Sequence, residues 1–447
     1  MEDFTARAAN YAVYTPSAQI GAAEAILKAD LQVPTALLEA GLTARALDYY
    51  WPQNGLWHYP YLLATAGHFK NATRPNVVTN RTANTVLVGD SSGYNLATGA
   101  MPETKAWKKY VEKPDEIMRL FRKSTIKEDV HYWLEQHADL AMTLDLPLWA
   151  RGRKDSPFRC LSDEQLLTLT LENLEFFQQA SGNYRKVRYL NVLQGSTEAV
   201  EEQWFTAVKG FKFNGYALAG NVGVMGGIYR VLRRILMLGD QGLLEAPLNN
   251  IHILMLSQPR WAPILTAIQR AVRETVNPDF TITYDSSSPY KVAGKASQYA
   301  SLTHYGNTFK KGWAIKTHKA PLGYGLANMA DPFALHHGHP THMPVSMDSP
   351  IARLLTVKHL NPKADKQEIR TINAFGDAVL TNHNCYVYTK AMLLANEAVF
   401  SEQPTAPETM MRAVNVIGEL FRTKNWATML EDNRALLASV VGDKKGK

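Results

Sequence analysis

The sequence has little cysteine and no long apolar run. Cys160 and Cys385 are the only cysteines among its 447 residues, so a disulfide framework and a four-cysteine zinc site are both excluded. No run of about 18 apolar residues occurs, which predicts that no transmembrane helix forms. The segment Met1–Arg7 is polar and lacks the apolar centre of a secretory signal. We therefore expect a soluble, cytoplasmic protein with no membrane partner.

Basic residues outnumber acidic ones. The formal net charge is +7 and the isoelectric point is about 9.1, which permits a polyanionic partner such as nucleic acid. Two clusters, Lys105–Tyr110 and Lys310–Lys316, interleave lysine with aromatic residues, a mixture that suits phosphate contact combined with base stacking. The alternative for either cluster is a solvated basic surface. Arg230, Arg233 and Arg234 are predicted to line the outer face of a helix.

Strand-like runs alternate with helical stretches along most of the chain. The predicted strands are Tyr61–Ala66, Thr85–Asp90, Leu140–Asp145, Arg188–Gln194, Gly215–Gly220, Ile251–Leu256 and Phe280–Asp285, with Trp313–Ile315 as a candidate for an eighth. Helical periodicity occurs in Leu166–Gln179, Val222–Met237 and Pro263–Val276, and Ser196 and Thr197 are candidate N-caps. The alternation predicts an α/β protein with parallel strands, and the number of strands predicts a closed (β/α)8 TIM barrel. An open doubly wound sheet is the rival fold, but no G-x-G-x-x-G motif follows the first predicted strand.

Two segments lie outside this alternation. Residues 1–57 precede the first predicted strand and are interpreted as an N-terminal helical extension, with residues 58–447 as the barrel domain. Residues 297–375 are rich in glycine, proline, histidine and lysine, so an irregular late insertion is predicted there.

Three predicted strands end in aspartate: Asp90, Asp145 and Asp285. A carboxylate is costly inside a sheet but well placed where the strands stop. In parallel α/β folds, ligands bind at this end of the strands. The three positions therefore predict one acidic pocket that is built from distant parts of the chain.

Other polar or glycine-rich groups occur at the same strand ends. They are Ser91, Tyr94, Gln194, Gly220 and Asn221. Glycine lets backbone groups approach a flat ligand closely, and carboxylate and amide side chains match the donors of a purine edge. A tyrosine ring can stack on the face of such a base.

These segments resemble the motifs of the tRNA-guanine transglycosylase family. Asp90–Asn95 (Asp-Ser-Ser-Gly-Tyr-Asn) resembles the family's Asp-Ser-Gly-Gly-Phe/Tyr-Gln, and Val192–Gly195 (Val-Leu-Gln-Gly) resembles its Val-Gln-Gly. Asn214–Gly220 (Asn-Gly-Tyr-Ala-Leu-Ala-Gly) resembles Asp-Gly-Tyr-Ala-Ile-Gly-Gly, and Thr381–Tyr388 resembles the late His-Asn helix that closes the family's barrel. The motifs keep the family's order along the chain.

The resemblance implies a base exchange that passes through a covalent glycosyl-enzyme. Asp285 matches the nucleophile that attacks C1′ and expels guanine, and Asp90 matches the general acid/base. Asp145 and Gln194 match groups that bind the base edge. The resemblance also implies substrate contacts for four further residues. These are a backbone contact at Gly220, a stacking contact at Tyr94, and contacts at their neighbours Asn221 and Ser91.

Some positions depart from the family pattern. Cys385 is the only cysteine near the late helix, so the Cys-x-Cys-x-x-Cys plus His zinc site of the tRNA enzymes cannot form. Ser92 replaces the first glycine of the first motif, and Asp145–Pro147 replaces Asp-Glu-Cys. These departures resemble the DNA-guanine transglycosylases of phages and bacteria, which place 7-deazaguanines in DNA. That branch implies DNA and a free 7-deazaguanine base as partners, in the cytoplasm of a bacterium or of a phage-infected host.

Several alternatives remain open. They are the same exchange on tRNA, a non-catalytic nucleic-acid-binding relative, and a glycoside hydrolase, the last disfavoured because the strand ends lack Glu acids and tryptophans. No cofactor and no metal ligands are predicted. The alternative is a zinc site in the cluster His336, His337, His339 and His342. The particular 7-deazaguanine, the sequence and strandedness of the target, and the oligomeric state are left open.

Overall fold

The computed structural model describes residues 2–28, 31, 33–39, 41–53, 56–180, 186–219, 227–307, 310–320, 345–360 and 374–442. Its central element is an eight-stranded, all-parallel sheet. In chain order the strands are β1 (Val13–Pro16), β2 (Tyr61–Thr65), β3 (Val86–Asp90), β4 (Leu140–Met142), β5 (Arg188–Leu193), β6 (Gly215–Leu218), β7 (Asn250–Ile253) and β8 (Thr281–Ser286). Strands β2 to β8 match the seven main predictions from the sequence.

The sheet is nearly closed into a barrel. Its strand order is β1-β8-β7-β6-β5-β4-β3-β2. The two edge strands meet at a parallel bridge between Ser17 and Leu63, where the Ala18 N–H donates to the Leu63 carbonyl at 2.8 Å. The α/β barrel predicted from the strand–helix alternation is therefore confirmed at this level.

Helices cover the outside of the sheet and form the C-terminal region. They are α1 (Thr5–Ala8), α2 (Ile20–Ala25), α3 (Thr35–Glu39), α4 (Ala66–Phe69), α5 (Gly93–Ala97), α6 (Pro102–Lys105), α7 (Pro114–Lys123), α8 (Ile126–His137), α9 (Asp163–Ala180), α10 (Glu198–Val208), α11 (Gly227–Asp240), α12 (Trp261–Thr275), α13 (Ser288–Ala296), α14 (Ala374–Phe400), α15 (Glu408–Leu420), α16 (Trp426–Asp432) and α17 (Arg434–Val441). Short 3-10 turns are Ala44–Leu47, Ala106–Tyr110, Leu148–Ala150, Ala352–Leu354 and Val357–Leu360. The predicted cap of α10 is present, since the Thr197 hydroxyl accepts the Val200 N–H at 3.3 Å. Among the described residues, no helix is long and apolar enough to cross a membrane.

The N-terminal helical extension is not confirmed. Val13–Pro16 is the first barrel strand and pairs with β8. A second short pairing joins Glu2–Asp3 to Trp57–His58. Phe4, Tyr14 and Trp57 are buried in the same core as the side chains of the other strands. Four buried leucines between Tyr14 and Trp57 belong to a second apolar cluster with the start of α14: Leu31, Leu37, Leu42 and Leu47.

The prediction of Trp313–Ile315 as the eighth barrel strand is wrong. These residues belong to an antiparallel ribbon of β9 (Gln298–Gly306) and β10 (Lys311–Lys319), which forms a separate two-stranded sheet. The ribbon occupies the start of the segment predicted as an irregular insertion. The remainder of that segment is described only at residues 345–360, where it contains the two 3-10 turns, and at 374–375.

The alternation of side chains along each strand decides what fills the barrel. An interior cluster of Leu63, Val88, Leu140, Met142, Leu190, Val192 and Ala217 is separate from the core that packs against the helices. Because successive side chains point to opposite faces, the residues two positions after Leu63, Val88 and Val192 also face inward. These are Thr65, Asp90 and Gln194, so an apolar plug lies below a polar layer at the carboxyl end of the strands.

Candidate active site

Asp90 is the last residue of β3 and faces the barrel interior. The Thr65 hydroxyl at the end of β2 donates to its Oδ2 at 3.0 Å, and the Ser92 N–H donates to its Oδ1 at 3.3 Å. Burial raises the pKa of Asp90 despite these donors, and the negative charge of Asp285 adds to the increase. Asp90 is thus a carboxyl group that holds its proton more readily than a surface aspartate.

Asp285 is buried near the end of β8. Its Oδ1 accepts the Met255 N–H at 2.9 Å and lies 3.4 Å from Nε2 of His252, a fully buried side chain on β7. The other ring nitrogen of His252 lies 2.8 Å from the Thr283 hydroxyl, which fixes the orientation of the ring. Among the described residues Oδ2 of Asp285 makes no hydrogen bond, so one carboxylate oxygen is held and the other is available for chemistry.

Asp145 lies just beyond β4 in a loop that α9 holds in place. The Asn173 amide donates to the Leu144 carbonyl at 3.1 Å, and the Thr170 hydroxyl accepts the Leu146 N–H at 3.0 Å. The Asp145 carboxylate accepts a hydrogen bond from the Gln194 amide nitrogen. Burial raises the pKa of Asp145 to about 7, and the negative charge of Asp90 contributes. Asp145 therefore exchanges its proton near neutral pH.

Gln194 is fully engaged by the protein. Its amide nitrogen donates to Asp145 and to the Leu146 carbonyl at 3.3 Å, and its carbonyl oxygen accepts the Leu148 N–H at 2.9 Å. In this arrangement the amide orients Asp145. Both N–H groups of the amide are used, so donation from Gln194 to a base edge, as the family resemblance implies, requires one of these bonds to be exchanged for the ligand.

The structure brings Asp90, Asp145 and Asp285 together at one end of the barrel. The charge of Asp285 acts on Asp90, and the charge of Asp90 acts on Asp145. The three side chains come from β3, from the loop after β4, and from β8. The three carboxyl groups therefore lie near one another at the carboxyl end of the strands, and their use as one binding pocket stays a prediction.

The turn after Asp90 explains the form of the first motif. Ser92 has φ of 84° in the left-handed region, and its buried hydroxyl accepts the Gly67 N–H. A β-carbon on Gly67 would lie 2.5 Å from that hydroxyl oxygen, and one on Gly93 would lie 2.8 Å from the Asp145 carbonyl. Ser91 is buried and its hydroxyl has no partner among the described residues. It is thus a polar group with spare capacity beside Asp90.

Two exposed side chains lie beyond the acidic layer. Tyr94 on α5 is 52% exposed and its ring centroid is 5.5 Å from that of Trp149, over which the guanidinium of Arg153 lies at 5.2 Å. Met255 is 50% exposed, with φ of 65°, and its N–H is the group that binds Asp285. An aromatic ring and a thioether therefore extend into solvent at the rim. Four side chains at this end of the barrel were not predicted from the sequence: His252, Met255, Trp149 and Arg153. The inward register of β7 is the signal that could have revealed His252.

A buried ion cluster supports the pocket from behind. Arg230 and Arg234 on α11 both pair with Glu201 of α10, and Arg233 is 3.7 Å from the same carboxylate. Arg230 and Arg234 also donate to the Gly195 carbonyl at 3.0 and 3.3 Å, directly after Gln194. The prediction that these arginines line an outer helix face is wrong, because Glu201 draws them between the two helices.

Some predicted site positions lie outside the described residues. These are Gly220, Asn221 and the histidines at 336, 337, 339 and 342. Within the part of the chain that the structure describes, no group of three or more histidine, cysteine, aspartate or glutamate side chains is arranged to hold a metal ion.

Comparison of the sequence with models of known protein families and with curated proteins gives no match. The arguments for function are therefore the arrangement of the pocket and the motif resemblance.

Proposed function

We propose that this protein is a DNA-guanine transglycosylase that exchanges guanine for a 7-deazaguanine base through a covalent aspartyl-nucleotide. The observation that supports it best is that Asp90 and Asp285 lie at the carboxyl end of the barrel strands, close enough for the charge of Asp285 to raise the pKa of Asp90. A pair of carboxyl groups around C1′ is what a double-displacement reaction at an anomeric carbon requires.

The chemistry divides between these two carboxyl groups. In the first step Oδ2 of Asp285 attacks C1′, the C1′–N9 bond breaks, and Asp90 donates its proton to the departing guanine. In the second step Asp90 takes the N9 proton of the incoming 7-deazaguanine, whose N9 attacks C1′ and displaces Asp285. The raised pKa of Asp90 suits a group that first donates and then accepts a proton.

The rest of the pocket supports a purine ligand. Asp145, oriented by Gln194, offers a carboxyl group that can accept from, or donate to, the polar edge of a base. Tyr94 and Met255 supply exposed stacking surfaces at the rim. The target base must leave its stack to reach this depth, so the proposal includes base flipping.

The choice of DNA over tRNA rests on the departures from the tRNA enzymes, above all the missing cysteine set. The same base exchange on tRNA is the second candidate, because the pocket chemistry is identical for both substrates.

The test is covalent trapping on guanine-containing oligonucleotides in the presence of a 7-deazaguanine base. We expect a denaturation-resistant adduct with wild type and with the exposed-carboxylate control Asp279→Ala, and none with Asp285→Ala. An adduct that still forms with Asp285→Ala would show that Asp285 is not the nucleophile. If labelled guanine is exchanged faster on tRNA than on DNA, the substrate is tRNA and the second candidate function replaces the first.

A further inference from the structure

The segment that follows Asp285 carries cations without acidic neighbours in sequence. From residue 286 to residue 330 there is no aspartate or glutamate, but there are six lysines, namely Lys291, Lys295, Lys310, Lys311, Lys316 and Lys319. All six side chains are exposed. Among the described residues, none of their ammonium groups has a carboxylate within 4.0 Å. These six lysines form a basic patch because they share a segment that contains no acidic residue.

These lysines lie on two elements that begin at the pocket. Helix α13 starts three residues after Asp285, and the ribbon of β9 and β10 follows it. The Asn384 amide of α14 donates both to the Pro289 carbonyl at 3.3 Å and to the Gln298 carbonyl at 3.1 Å. The base of the ribbon is therefore fixed beside the start of α13, close to the mouth of the barrel.

The ribbon is rigidly attached along its length. His383 of α14 bonds the Ala300 carbonyl at 2.7 Å, and the Asn384 oxygen accepts the Ala300 N–H at 2.7 Å. At the far end the Lys311 N–H donates to the Thr405 carbonyl at 2.9 Å. Lys319 pairs with Gln298 at the base, and Lys311 pairs with Gly306 near the tip. At about 3.3 Å per residue, the charges of β10 span about 26 Å.

The surface formed by α13 and the ribbon offers positive charges to a ligand, but no aromatic ring for stacking from the basic cluster Lys310–Lys316. Trp313, the aromatic residue of the basic cluster, packs against the core and lies 4.1 Å from the His304 ring, centroid to centroid. A flexible lysine is a point charge with no base preference, so it contacts phosphates. Lys291 also acts toward the barrel mouth, since its charge contributes to the lowered pKa of His68 on α4, after burial.

We propose that Lys291 and Lys295 of α13 begin a track for the phosphodiester backbone of the nucleic acid strand whose base enters the pocket, and that the exposed lysines of the ribbon continue it. The inference rests on the proposed function for the strand's identity, and it adds where that strand runs beyond the flipped nucleotide. Lys291 and Lys295 are about one helical turn apart on α13 and are the first of the six lysines after Asp285. Because successive side chains of a strand point to opposite faces, Lys316 lies on one face of the ribbon and Lys311 and Lys319 lie on the other.

The test compares two doubly substituted proteins of equal net charge. Lys291→Gln/Lys295→Gln removes two charges from the track, whereas the control Lys209→Gln/Lys212→Gln removes two exposed charges from the α10–β6 connection, at the opposite end of the barrel. Affinity for a guanine-containing DNA oligonucleotide is measured from low to high salt. The slope of log affinity against log salt should fall by about 1.4 to 1.8 for the track variant, at about 0.7 to 0.9 per lost phosphate contact, and should not change for the control.

An unchanged slope in the track variant, or an equal fall in the control, would overturn the track. Parallel measurements with single-stranded DNA, duplex DNA and tRNA identify which strand uses it. Base exchange is measured separately. If the wild-type protein binds through the track but exchanges no base, the proposed function is refuted and the track stands. If it exchanges bases but the salt slope of the track variant equals that of wild type, the track is refuted and the proposed function stands.

Discussion

Asp145 is a buried carboxyl group whose ionisation the fold opposes. Its pKa rises from 3.8 to about 7 because burial removes water and because Asp90 is nearby, and the hydrogen bond from Gln194 only partly offsets this. The substitution Asp145→Asn keeps the shape and retains an oxygen that can accept from Gln194. It also removes the titration, so it isolates the cost of the charge.

The sign of the effect follows from linkage. A carboxyl group with a raised pKa in the folded state favours folding below its unfolded pKa, and that contribution is lost as pH rises through the folded pKa. For a shift from 3.8 to about 7, the cost of ionisation is about 2 kcal/mol at pH 5 and about 4 kcal/mol at pH 8. The stability of Asp145→Asn relative to wild type should therefore increase by roughly 2 to 3 kcal/mol between these two pH values.

The assay is urea unfolding followed by tryptophan fluorescence at pH 5 and pH 8. The control Asp279→Asn removes one exposed carboxylate from outside the pocket and corrects for the change in net charge. The difference in unfolding free energy between Asp145→Asn and wild type could instead stay constant or decrease as pH rises. Either result would contradict the expected cost of ionisation, because it would mean that the site tolerates the charged form of Asp145.

Three further predictions concern groups around the pocket. Replacement of His252 by leucine should lower the rate of covalent trapping by about 100-fold, since it removes one of two groups that hold Asp285, while oligonucleotide affinity is retained. Replacement of Glu201 by alanine should lower the free energy of unfolding by about 3 to 5 kcal/mol, because three buried or half-buried arginines lose their shared counter-ion. Gly67→Ala should destabilise the protein because the new β-carbon would lie 2.5 Å from the Ser92 hydroxyl. The addition of Ser92→Gly should recover part of the loss in a double-mutant cycle.

The strands and the acidic pocket could be predicted because local pattern decides them. An apolar run that ends in aspartate indicates a strand whose last residue reaches the mouth, and this held for Asp90 and Asp285. The period of two along β3 and β8 also places these carboxylates on the inner face. This prediction needs no information about contacts between residues distant in sequence, because all parallel strands of one barrel end on the same side.

The closing strand could not be predicted in the same way. Val13–Pro16 has four residues, one of them proline, and only its pairing with β8 and the bridge near Leu63 make it a strand. Trp313–Ile315 has a more strand-like composition, but it pairs with β9 in a separate ribbon. Composition indicates whether a segment is extended and cannot show which sheet it joins.

The partners of individual polar side chains also could not be predicted from the sequence. Gln194 reads as a ligand, yet both ends of its amide bind the protein. The arginines of α11 read as surface residues, yet they enclose Glu201 of the neighbouring helix. A side chain's partner across the sequence decides its role in both cases, and only the three-dimensional contacts identify that partner.

The environment of the pocket separates carboxyl groups that are chemically identical. The apolar cluster inside the barrel lies below the carboxyl groups and excludes water from them. Loss of water favours the protonated form of a carboxyl group unless hydrogen bonds fully compensate, and burial accordingly raises the pKa values of Asp90 and Asp145. Asp285 is held differently, because its Oδ1 receives the Met255 N–H and lies beside His252, whereas Asp90 receives the Thr65 hydroxyl and the Ser92 N–H. The two carboxyl groups of the proposed reaction therefore occupy different hydrogen-bonding environments on the same ring of strands, which is the condition for giving chemically identical groups different roles.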